Sequence, residues 1–180
     1  MKSLRLLIFV LGAVYLVGGC DQNKTDPQFP RKMTGRHNGK VWPNPRLNTY
    51  YLNYCLPKKD RFELYIYADI ASFPFKEEMS IVHIPTVTGR YTVVKKIFPR
   101  NCNQVEGSVI WLDFDEAVSR YDIFEGKNER NEIIISKIDT VANTVEGSFS
   151  LSFVVTEKDF RSLTDTIRVS AAFQSPISKI

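Results

Sequence analysis

"FELYIYADI", residues 62–70, decides the fold class: Phe62, Leu64, Ile66, Ala68 and Ile70 alternate with Glu63, Tyr65, Tyr67 and Asp69. A β-strand turns successive side chains to opposite faces, so this period of two buries one face and wets the other. The same grammar returns in "SFSLSFVV" (148–155), where Phe149, Leu151, Phe153 and Val155 oppose Ser148, Ser150 and Ser152. "TIRVSAAF" (166–173) sets Ile167, Val169, Ala171 and Phe173 against Thr166, Arg168, Ser170 and Ala172. Past the N-terminal leader, no stretch holds apolar residues at helical spacing over three turns.

Working outward, strand-like runs recur at "TYYLNYC" (49–55), "MSIVHI" (79–84), "RYTVVKKIF" (90–98), "SVIWLDF" (108–114), "SRYDIF" (119–124) and "NEIIISKI" (131–138). Short polar stretches such as "VTGR" (87–90) and "EGKNERN" (125–131) punctuate them. In "HNGK" (37–40) an Asn-Gly pair suits a two-residue hairpin turn, because both residues tolerate positive φ, although "MTGRH" before it is a poor strand. The one helical candidate is "TEKDFRSLTD" (156–165), with Thr156 capping a short turn. The pattern predicts an all-β domain: an antiparallel β-sandwich or partly closed β-barrel of about eight or nine strands.

The chain opens with Lys2 and Arg5 around a run that is apolar almost throughout from Leu4 to Val17, the form of an export signal too short to span a bilayer. "VGGC" (17–20) resembles a bacterial lipobox, which implies acylation of the Cys20 thiol and a mature chain beginning there. The expected organisation is a signal peptide over 1–19, an acylated cysteine and tether over 20–32 and a single β domain over 33–180. "DQNKTDPQFPRK" (21–32) is polar, with two prolines and one isolated aromatic, as a spacer requires. Removing Lys2 and Arg5 leaves 22 basic against 20 acidic residues, and residues 24–46 alone carry six basic residues against Asp26. The body is slightly acidic and only the part next to the lipid is basic, which suits anionic headgroups or a solvated tether. No nucleic-acid motif or basic stripe is present, so the expected partner is the membrane, through Cys20. Asp21 after the cysteine retains some lipoproteins at an inner membrane; the outer membrane or cell surface is the favoured address.

Lipobox, "NGKVW" (38–42) and "NEIIISKIDTVANTVEGSFSLSF" (131–153) together resemble a family of uncharacterised lipoproteins of Bacteroidota. In that family an I-x-K-x-D-T phrase, here Ile135, Lys137, Asp139 and Thr140, precedes G-x-F-x-x-x-F, here Gly147, Phe149 and Phe153. The resemblance implies an all-β extracytoplasmic domain and assigns no catalytic residue. In physical terms the phrase reads as a hairpin: Asp139 and Thr140 bond to their own turn, and Gly147 takes a φ that a branched residue resists.

Cys55 and Cys102 make an even pair, and an exported domain keeps such a pair as a disulfide, worth about 4 kcal/mol in the chain-entropy model. Two buried free thiols are the alternative. His37 adjoins the Asn-Gly turn, and His83 sits in an apolar run as an edge residue. The sequence holds no HExxH, no G-x-S-x-G and no phosphate-cradling glycine loop, so neither an enzyme nor a resident cofactor is expected. In "WLDFDEA" (111–117), Asp113 and Asp115 share a strand face and with Asp122 are candidate calcium ligands; paired acids also serve glycosidases. A solvated sheet face accounts for the same letters. Tyr65 and Tyr67 must face outward if Phe62, Leu64 and Ile66 face the core, and Tyr51, with Tyr50, Tyr54 and Tyr91, joins them as a candidate binding surface. Such rings stack on sugars or pack against proteins. The reading is a membrane-anchored, non-enzymatic glycan- or protein-binding domain. A purely structural envelope component is the alternative, and a glycan hydrolase comes third.

Overall fold

A computed structural model describes residues 31–52, 54–55, 60–69, 75–99, 101–161 and 164–178. The residues expected to form a leader (1–19) and, as far as Pro30, those expected to form the acylated cysteine and tether (20–32) lie outside the described residues, as does Ile70. The chain forms β1 (Lys32–His37), β2 (Lys40–Val41), β3 (Arg46–Tyr51), β4 (Arg61–Asp69), β5 (Phe75–Pro85), β6 (Gly89–Lys95), β7 (Val105–Asp113), β8 (Glu116–Ile123), β9 (Glu132–Asp139), β10 (Thr144–Lys158) and β11 (Thr166–Pro176). The protein is all-β, as expected, and no described helix is long and apolar enough to cross a membrane.

Among the described residues eleven strands replace the eight or nine expected, and the additions are β1 and β2. They flank the "HNGK" turn, in which Asn38 and Gly39 take φ of 49° and 78°. The polar run "KMTGRH" becomes a strand because β11 recruits it, in register from Lys32 opposite Gln174 to His37 opposite Val169. A Cβ on Gly35 would lie 2.2 Å from the Ser170 carbonyl oxygen, so only glycine permits the approach. The helical reading of 156–165 is corrected as well. Residues through Lys158 continue β10, because Glu157 pairs with Arg120 of β8 and Thr156 Oγ1 donates to the Arg120 carbonyl. Tertiary pairing overrides the local cap signal there.

The strands form one mixed sheet in the order β2-β1-β11-β10-β9-β6-β7-β5-β4-β3, with β8 pairing β10 and β7. All named pairs are antiparallel except β6 with β7, which corrects the fully antiparallel expectation. The sheet forks: β10 pairs with β9 over its first half and β8 over its second, while β7 passes from β6 to β8. Asn131 seats the fork. Its amide donates to the Phe124 carbonyl and accepts from the Ser152 amide, while Phe124 N–H donates to the Ser152 carbonyl. Buried backbone groups without a ladder partner are thereby satisfied. At the far edge, Tyr51 N–H donates to the Ser178 carbonyl and Ser178 N–H to the Thr49 carbonyl, joining β3 to the chain just past β11.

Among the described residues the buried side chains form one core, in which Phe62, Leu64 and Ile66 of β4 pack with Met79, Ile81, Tyr121, Ile133, Leu151 and Phe153. The alternation of "FELYIYAD" places these as predicted, although Glu63 is also buried. Asp139 Oδ1 accepts from Val141 and Ala142 N–H, closing the β9–β10 turn as expected. Gly147 does not take positive φ. Its requirement is space, since a Cβ would lie 2.4 Å from the Ile134 carbonyl oxygen and 2.8 Å from the Phe173 ring. Cys55 and Cys102 are bonded, with Cα atoms 5.9 Å apart.

Candidate functional site

Period two carries alternate residues of β3, β4, β5 and β7 outward, and the registers set them in rows. Arg46, Tyr67, Glu78 and Ile110 form one row, and Asn48, Tyr65, Ser80 and Ser108 the next. Toward the β7–β8 turn this face holds a groove of about 570 Å³, lined by Arg31, Arg46, Asn48, Tyr67, Lys76, Glu78, Leu112, Phe114 and Asp115 among others. Phe114 stands 76 % exposed at the turn, with φ of 54°. Arg31 Nη1 donates to Asn48 Oδ1 at 2.6 Å, and Arg46 lies 3.5 Å from Asp69. The groove thus combines a tyrosine and a phenylalanine ring with guanidinium, ammonium, amide and carboxylate groups. Those are the donors, acceptors and stacking faces that a polyhydroxylated ligand engages.

Tyr65 and Tyr67 both face outward, as expected. The Tyr65 hydroxyl donates to Glu63 Oε2 at 3.3 Å; burial first, and then the Glu63 charge, push its pKa well up. Burial and Glu78 raise that of Tyr67. Tyr50 joins this face, its ring centroid 6.2 Å from that of Tyr65. Tyr51 does not, and its assignment to the binding face is corrected. Leu47, Thr49 and Tyr51 share the inward parity of β3, and Tyr51 is 6 % exposed with its hydroxyl donating to Asn143 Oδ1. Tyr91 packs against the core, and Tyr54 lies beside His83.

Asp113 and Asp115 part company at Phe114. Asp115 lines the groove, whereas Asp113 Oδ2 accepts from Arg161 Nη1 at 2.6 Å, and Arg161 also pairs with Asp159. A guanidinium occupies the position where a calcium cage would need its charge. Asp122 sits opposite Ser108 while Asp113 sits opposite Glu116, about 17 Å further along β7, so the structure does not bring it to them. Among the described residues, the cluster of three side chains with metal-ligating spacing is Cys55, His83 and Cys102, which includes neither aspartate.

His37 meets a residue that motif reading misses. Its Nε2 lies 2.9 Å from Glu77 Oε2, which also accepts from Trp111 Nε1 at 2.9 Å, and Glu77 is 2 % exposed. Strand parity carries the signal, because Glu77 shares its face with the buried Met79 and Ile81. The arrangement ties the β1–β2 hairpin to the interior of β5 and β7. His83 corrects its edge assignment: β5 is paired on both sides, and His83 is fully buried at a bulge with φ of 62°.

Comparison with models of known protein families, with characterised proteins and with solved structures returns no match.

The ion pairs bear on acid stability. Hydrogen bonds from Ser152 and then Arg168 hold the Glu129 carboxyl below its ordinary value, and the Arg161 hydrogen bond does the same for Asp159. A carboxyl with a folded pKa below its unfolded one contributes stability that is present above the unfolded value, about 4.5 for glutamate, and lost as pH falls through the folded value. Asp122, raised by burial, acts in the opposite sense. The urea midpoint should therefore fall on acidification below about pH 4.5, and Glu129→Gln should flatten part of that fall. An unaltered pH profile in the variant would show the Glu129 contacts to be without thermodynamic weight.

Proposed function

We propose that this chain is a lipid-anchored extracytoplasmic protein whose β domain binds a glycan, without catalysis, in the groove beside Tyr67. The observation that carries the reading is the convergence of Tyr67 and Asp115, two residues singled out on separate grounds, on one groove that Leu112 also lines. Sugars present apolar C–H faces and hydroxyl edges, so a ring next to fixed charged and amide groups recognises both. Lipobox-like "VGGC" and the basic tether support placement at the outer membrane or cell surface, and the resemblance to Bacteroidota lipoproteins supports the same address. The β3-to-Ser178 bridges support reading the sheet as a partly closed barrel with the groove on its outer wall.

The test is a glycan array followed by calorimetry on protein extracted from its membrane in detergent. Tyr67→Ala should weaken the best-binding glycan about tenfold, equivalent to the ~1.4 kcal/mol of one aromatic stacking contact, while leaving the urea midpoint near wild type. Absence of binding to any glycan, with Tyr67→Ala silent, would sink this reading in favour of the purely structural envelope role. Intact mass of the same preparation tests the anchor: a chain beginning at Cys20 and carrying acyl groups is expected, and an unacylated chain overturns it.

A further inference from the structure

Away from the groove, at the opposite end of β5, three potential ligands meet. The two sulfurs of Cys55 and Cys102 and a ring nitrogen of His83 all lie within 4.8 Å of one another. Three separate parts of the chain supply them: Cys55 follows β3, His83 sits at the β5 bulge and Cys102 precedes β7. Cys55 and His83 are buried and Cys102 is partly exposed.

Both ring nitrogens of His83 have a hydrogen-bond partner. His83 Nδ1 lies 3.2 Å from the Gln104 carbonyl oxygen, which only accepts, so Nδ1 carries the proton. In the neutral ring the lone pair is then on Nε2, 3.2 Å from the Tyr54 hydroxyl, which can donate to it. A ring N–H fixed on a backbone carbonyl, with the other nitrogen presenting its lone pair, is the arrangement that metal-bound histidines use to set orientation and basicity. Tyr54 is 47 % exposed, so the group now bonded to that lone pair stands at the surface and can turn aside.

We propose that Cys55, His83 and Cys102 form a redox-gated zinc site, closed as a disulfide when oxidised and open to the cation when reduced. Two external thiols supply the two electrons and two protons that convert the disulfide to two thiols, and are themselves joined as a disulfide; a phosphine supplies the electrons alone and becomes its oxide, with the protons and the oxygen coming from water. Zinc binding then releases both thiol protons to solvent, and two thiolates with one neutral imidazole leave the bound dication with no net charge. A water completes the tetrahedron. Ligands bound at the usual zinc distances are about 3.6–3.8 Å apart, so the cluster needs the two sulfurs to separate after reduction and the Tyr54 hydroxyl to leave the ring nitrogen. Either form pins the same three chain segments together, one covalently and the other through the metal. The proposal is independent of the groove and its ligand.

Cobalt(II) is the direct probe. The full protein is reduced anaerobically with a phosphine, freed of reductant and titrated with cobalt, and far-UV circular dichroism is recorded at each step. One equivalent should develop a thiolate charge-transfer band and tetrahedral ligand-field bands, and added zinc should bleach both. Oxidised protein and Cys55→Ser should show neither. His83→Asn should weaken cobalt about 100-fold, and asparagine tolerates the positive φ at this bulge, so the variant keeps the strand spectrum. Three results overturn the proposal: a reduced, folded protein that shows no bands, a His83→Asn variant that binds as tightly as wild type, or a reduced protein that unfolds and is not restored by metal.

Discussion

Gly147→Val is expected to destabilise the domain by about 3 kcal/mol, which lowers the urea midpoint by roughly 1.5 M at an m-value of about 2 kcal/mol/M. Gly147 lies on β10 between β9 and β11, at the step where the β9 register shifts. A Cβ there would press on the Ile134 carbonyl at 2.4 Å and on the Phe173 ring at 2.8 Å, and its two further methyl groups would crowd the same space. The Phe173 ring can turn, but it packs 6.2 Å from Phe149 and is itself buried, so its displacement spreads into the core. The Ile134 carbonyl has no such freedom without breaking the ladder. A midpoint equal to wild type would mean that β9 and β10 are not paired as described.

Phe153→Ala is expected to cost about 4 kcal/mol, read as a lowered midpoint with an unchanged m-value. Phe153 is fully buried and lies where β10 passes from one neighbour to the other, opposite Ile123 of β8 and Ile167 of β11. Truncation there removes the transfer free energy of the ring and leaves a cavity lined by strands already held in three pairings. Such strands cannot close inward, so the site falls toward the upper part of the usual range. A loss below about 1 kcal/mol would show that the fork is loose enough to collapse.

Nine strands were legible because alternation survives in their sequences, although the expected run 49–55 overshoots β3, which ends at Tyr51; alternation is a local consequence of burying one face. β1 was not, since "KMTGRH" has no apolar face of its own and becomes extended only against β11. The helical reading of 156–165 failed for the related reason that pairing with β8 outweighs a cap. Tyr50 and Tyr51 are adjacent and cannot both face outward. Leu47 and Leu52 have opposite parity and both are buried, so the sequence around them points both ways. At Gly147 the residue type was recognised with the wrong cause: crowding, a nonlocal property, stands where a backbone angle was expected. Gly39 is the converse case, with positive φ and open space around it.

The site was legible in part. Parity put Tyr65 and Tyr67 outside, and cysteine count paired Cys55 with Cys102. Arg46 and Lys76 could not be added, because only the registers of β3, β4 and β5 bring them beside Tyr67, and Arg31 arrives from the residue before β1 through its bond to Asn48. Glu77 was within reach of a stricter parity argument, but its partners His37 and Trp111 come from strands distant in sequence.

The pairing of β1 with β11 joins the first strand to the last across nearly the whole domain. Contacts so distant along the chain give a high contact order, and all-β proteins of this kind fold in milliseconds to seconds. β1 has no partner in the sheet other than β2 until residues 169–174 exist. A ribosome-bound chain therefore cannot complete this domain strand by strand as it emerges, because the strand made first waits for the strand made last.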